Sequence, residues 1–195
     1  MYKRQIKDIS LGNDGDFQDK RFVDIINNDL ANTIGNLLNR TSSMSRKWFD
    51  NKVPNNENYL TENKLEKSAK IAVEKYIYNF DNYKLDLAAN EVLSLAINTN
   101  LYLNDNQPWL LIKDKDNLPI VKQIIYNVLE STRIIGLLLK PLLPELSTKI
   151  NEQLGSIYRE EIPWKQQLSW GLLVSKSSLP KPTPIINKLE YEQHL

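Results

Sequence analysis

Apolar residues recur at three- and four-residue steps along most of the chain, the period that lines them up on one stripe of an α-helix. Leu30, Ile34, Leu37 and Leu38 mark the first stripe, within a helical pattern over residues 19–48 that ends at the proline- and amide-rich "VPNNEN", residues 53–58. Leu65, Ala69, Ala72 and Tyr76 predict a second helix over 62–80. Leu85, Ala88, Ala89, Val92, Leu95 and Ala96 predict a third over 83–105, stopped by Pro108, with small residues that allow close helix approach. Ile120, Ile124, Val128, Ile135 and Leu138 mark a fourth that stops before "KPLLP", where Pro141 and Pro144 suit the first turn of a fifth, and Gly155 fits its C-cap. The pattern predicts an all-α, antiparallel bundle of about five helices.

The ends read differently. Residues 6–11 read as a short strand, and "GNDGD" after them favours a turn; Asp14, Gly15 and Asp16 are only a fragment of a calcium loop. Beyond Gly155, "IPWKQQLSWGLLVSKSSLPKPTPIINKLE" carries prolines and tryptophans without a long helical period, so an irregular segment packed on the bundle is expected. This gives three parts: 1–16, 17–160 as the helical domain, and 161–195 as a C-terminal extension.

Composition narrows the chemistry. No apolar run approaches the roughly 20 residues of a membrane span, and the start "MYKRQIKDIS" has no apolar leader region; a cytoplasmic protein is expected, without a membrane partner. The absence of cysteine excludes disulfides and thiolate metal sites, and the single histidine is His194. No catalytic residue set, cofactor-binding loop or metal site is expected in this chain. A formal charge of +1 announces no global attraction to nucleic acid, so any such contact must be local. "VSKSS", residues 174–178, is only faintly like an ATP-loop motif and follows the bundle.

Two places stand out. Asn32, Asn36 and Arg40 fall four residues apart in "DLANTIGNLLNR", a polar column beside the apolar stripe of the first helix. In "NDNQPWLLIKD", Trp109 directly follows Pro108, which holds the indole at a helix corner. There it serves either as a stacking platform or as a cap on the hydrophobic core. Arg46 and Lys47, further along the first helix, are candidates for an RNA backbone, or simply a solvated basic helix end.

Taken in order, "GNDGDF", "DLANTIGNLLNR", "NTNLYLNDNQPWLL", "RIIGLLLKPLLPELSTKINEQLG", "WGLL" and "PIINKLE" closely resemble the C-terminal region of methionyl-tRNA synthetase, a class I aminoacyl-tRNA synthetase. In that family "DGDF" closes the catalytic part and leads into an α-helical anticodon-binding domain. The resemblance implies that Asn36, Arg40 and Trp109 recognise the anticodon, with methionine tRNA (anticodon CAU) and the family's catalytic domain as partners. Residues 1–16 are then a remnant of the catalytic junction, and the extension packs on the bundle or on that catalytic domain. The family's "HIGH" and "KMSKS" motifs and its zinc-binding insertion belong upstream of "DGDF", and sixteen residues precede Phe17 here. ATP with magnesium, and zinc, therefore belong to the full-length family enzyme, and this chain alone is expected not to activate methionine. The competing readings are an anticodon domain for another amino acid and a free-standing helical protein-interaction module.

Overall fold

The computed structural model describes residues 19–55, 63–156 and 158–190. The expected strand at 6–11, the "GNDGD" turn, the remnant at 1–16 and His194 lie outside the described residues.

The first helical pattern is one continuous rod with a change of pitch inside it. α1 spans Asp19–Asp24, a π-helical stretch follows over Ile25–Gly35, and α2 covers Asn36–Trp48. Backbone angles stay helical at both joins, with φ −60° at Asp24 and −63° at Gly35. The wider turn carries its own hydrogen bonds, from the Asn36 amide to the Ala31 carbonyl and from the Thr33 hydroxyl to the Asn28 carbonyl at 2.7 Å. Its sequence, IINNDLANTIG, is poor in strong helix formers.

α3 (Lys64–Asp81) begins at Asn63, whose side chain accepts the Glu66 amide at 3.1 Å as an N-cap. α4 (Leu85–Asn106) turns back beside it. α5 is a single turn, Pro108–Leu111, and a 3₁₀ turn at Lys115–Asn117 leads into α6, Leu118–Leu139. α7 (Pro144–Gln153) takes Pro144 as its first residue, while Pro141 lies in the turn before it. Gly155, at φ +59°, closes α7 with paired bonds: its amide to the Glu152 carbonyl and the Ser156 amide to that of Asn151. Among the described residues there is no strand beyond an isolated bridge between Lys52 and Ser178.

α6 is the centre of the molecule. Its apolar spacing predicts one stripe, yet the helix is buried on all sides from Gln123 to Leu139 because α2, α3, α4 and α7 pack around it. Its polar residues are consequently partnered: Ser131 with Thr99 at 2.7 Å, Asn127 with Tyr102 at 3.1 Å, and Glu130 with Arg133. The segment after Gly155 packs on the same core through Leu168, Leu173, Leu179 and Ile185, and among its described residues has one helical turn, α8 (Trp164–Gln167). The fold is an all-α antiparallel bundle with an irregular C-terminal segment laid across it.

Candidate nucleic-acid interface

Gln107 makes the corner. It adopts φ +42°, ψ 56°, the left-handed region that a residue other than glycine enters uncommonly, and so breaks α4 from α5. Pro108 then occupies the first position of α5, where its missing N–H costs no helical bond, and is itself buried. With the backbone fixed on both sides, Trp109 is placed half-buried, its indole resting against the core.

The guanidinium of Arg40 comes from the other rod and lies 5.8 Å from the centre of the Trp109 ring, within cation–π range. Its Nη2 also donates to Oδ1 of Asn104, on the last turn of α4, at 3.2 Å. Residues 64 and 69 positions apart in sequence are thus gathered at one point of the surface, with Arg40 half-buried and Asn104 exposed. Asn36 stands exposed one turn before Arg40 on α2. Its amide and the Arg40 fork therefore share a face.

Asn32 is placed differently from the regular column that a pure α-helix implies. It lies inside the π-helical stretch, whose turns hold more residues, and its side-chain amide donates to Oδ1 of Asn28 at 3.3 Å. Arg46 and Lys47 are exposed in the last turn of α2.

Two residues escaped the sequence reading, Asn100 and Asn104. Asn100 donates to the Thr33 carbonyl at 3.2 Å and to its own Ala96 at 3.0 Å, so it ties α4 to the end of the π-helical stretch. Asn104, one turn later, holds Arg40. The signal was the four-residue spacing of two asparagines in "NTNLYLN", on the helix that must face the first.

The site combines an aromatic face, a planar cation and an amide at one corner of the bundle. Such a set can stack an unpaired ring and offer donors to its edge, the means by which proteins read single-stranded RNA. Among the described residues there is no cluster of three or more histidine, aspartate or glutamate side chains able to hold a metal ion, and no helix long and apolar enough to cross a membrane.

The anticodon binding domain model of methionyl-tRNA ligase matches residues 53–194. The chain belongs to that family. It is 34% identical to the methionine–tRNA ligase of Nostoc sp. over 97% of its length and 37% of that protein, and 32% identical to the Bacillus subtilis enzyme over 97% of its length and 29% of that protein. The chain therefore spans about a third of the curated relatives it matches. Its fold is similar to the free-state crystal structure of Mycobacterium tuberculosis methionyl-tRNA synthetase, with a TM-score of 0.85 and 27% identity over 97% of this chain and 39% of that one. A second structure of the same enzyme, bound by methionyl-adenylate, gives 0.82, covering 95% and 37%.

Proposed function

We propose that this chain recognises the CAU anticodon of methionine tRNA, with Trp109 stacking an unpaired base and Arg40 and Asn36 addressing base edges. The observation that carries the reading is the meeting of Arg40, Asn104 and Trp109 at one exposed corner. Cytosine, the first base of CAU, offers two acceptors, O2 and N3, beside its N4 donor, whereas uracil carries an N–H at the ring position of N3. A guanidinium held in one orientation favours the first pattern. Asn36 supplies either an acceptor or a donor one turn away, and Arg46 and Lys47 lie further along α2 as phosphate contacts.

In this reading residues 17–160 form the anticodon domain and 161–195 an extension to it. The partner is a catalytic region of the kind the relatives carry, which would use ATP with magnesium, and zinc where its insertion is kept. The setting is the cytoplasm. The chain alone activates no methionine.

Transcripts of methionine tRNA and of tRNAs for leucine, valine, isoleucine and cysteine, titrated against the chain, test the assignment. Tightest binding of the methionine tRNA is expected. Equal binding of all, or of none, would overturn it and favour a protein-interaction module.

A further inference from the structure

The strap over residues 164–189 meets the bundle through an unusual anchor. Glu130, fully buried in the middle of α6, accepts Nε and Nη2 of Arg133 at 2.8 and 2.7 Å. The same carboxylate accepts three successive strap amides, Gly171 at 2.7 Å, Leu172 at 3.1 Å and Leu173 at 3.0 Å. Arg133 in turn donates to the carbonyls of Gln167 and Ser169 at 2.7 and 2.8 Å. Both halves of the ion pair therefore hold strap backbone through charge-assisted bonds, stronger than neutral ones. Three converging amides make a local nest for an anion, so the carboxylate charge is matched where it sits.

From that anchor the strap reaches the first rod twice. Beyond the end of α2, the Val53 amide donates to the Ser177 carbonyl at 2.9 Å, Lys176 to Val53 at 2.8 Å and Leu179 to Asn51 at 2.6 Å. The Ser45 hydroxyl, inside α2, bonds the Lys52 carbonyl at 2.6 Å and joins that loop to the helix. Within the π-helical stretch, Asn27 both donates to the Leu189 carbonyl and accepts its amide, each at 2.9 Å. Arg40 lies between these two attachments.

We propose that the strap is a positioning element for anticodon reading, which uses Glu130 and Arg133 as its anchor and fixes the rod at the place where Arg40 meets Trp109 and Asn104. The inference rests on the function proposed above. Among the described residues, Arg40 has one side-chain hydrogen bond and one ring contact to set its place against α4 and α5, and a shift of about 1 Å is enough to spoil such an arrangement. A strap holding the rod on both sides of the site supplies the missing constraint.

The full chain is tested with synthetic anticodon stem-loops bearing CAU or UAU, and amide hydrogen exchange is followed in the same preparations. Glu130→Gln puts an NH₂ against the three strap amides. Faster exchange at Leu173, Lys176, Val53 and Leu179, with a severalfold loss of the preference for CAU, is the expected result. Faster exchange with the preference intact would overturn the proposal, as would unchanged exchange. Should Glu130→Gln fail to fold, Asn27→Ala loosens only the exposed end of the strap and faces the same criterion: the preference falls, or the proposal does. A wild-type chain that binds neither loop, or both alike, instead overturns the anticodon reading itself and this inference with it.

Discussion

Tyr76 shows how a residue can be read correctly as core and still hold something the pattern does not reveal. Its ring is completely buried, stacked 5.7 Å from Phe80 and tilted against Trp164 at 6.0 Å, but its hydroxyl has no hydrogen-bond partner among the described residues. Burial pushes the phenol well above its ordinary value of 10.0. Tyr76→Phe removes an unsatisfied polar group from the core, so an unchanged or higher melting temperature is expected at pH 8. The neutral phenol is the form the fold favours, so its contribution is intact below about pH 10 and is lost as pH rises toward the folded-state value. The wild type should therefore lose stability above pH 10 more steeply than Tyr76→Phe; equal alkaline slopes would count against this burial. At the same scale, Asn36, Arg40 and Trp109 could be singled out from sequence because their types and local spacing are legible. Asn104 shows in the sequence only as a four-residue echo of Asn100, and its bond to Arg40 depends on how α4 crosses α2, which that spacing does not encode.

Helices were legible because burial imposes a period on them, and they stopped being legible where burial or pitch ceased to be periodic. The rod 19–48 reads as α-helix throughout because the apolar steps of Leu30, Ile34, Leu37 and Leu38 tolerate a wider turn, so the π-helical stretch leaves no mark in the pattern. α6 reads as one stripe because its inward glutamate, arginine, serine and threonine look like a solvated face, although each is bonded inside. The strap has no helical period: Leu168, Leu173, Leu179 and Ile185 reach the core at irregular steps, and many of its hydrogen bonds are made by backbone groups. Gly136 marks a close approach of α6 to α7: a Cβ there would stand 2.8 Å from Cγ2 of Ile150, itself fully buried and stiff at χ1. Gly136→Val should lower stability by about 1–3 kcal/mol through overpacking, measured as a fall in the urea midpoint. An unchanged midpoint would mean that the two helices can separate without loss.

At the scale of the whole molecule, a formal charge of +1 leaves little long-range attraction for a polyanion. Binding of methionine tRNA by this chain should be weak and only mildly salt-sensitive, since each phosphate contact adds roughly −0.7 to −0.9 to the slope of log affinity against log salt. A slope as steep as that of a strongly basic RNA-binding protein would show that the cations of the surface act together over a large contact. In the proposed function, selectivity then comes from the corner where the rod meets α4 and α5. Trp109 touches both the core and Arg40, so the decisive comparison keeps the indole in place and changes only the fork. In a fusion that charges tRNA, Arg40→Gln is compared with wild type for charging of CAU against UAU transcripts. The expected result is a strong wild-type preference for CAU that relaxes in Arg40→Gln at an unchanged melting temperature. A preference equally strong in both proteins would contradict the account.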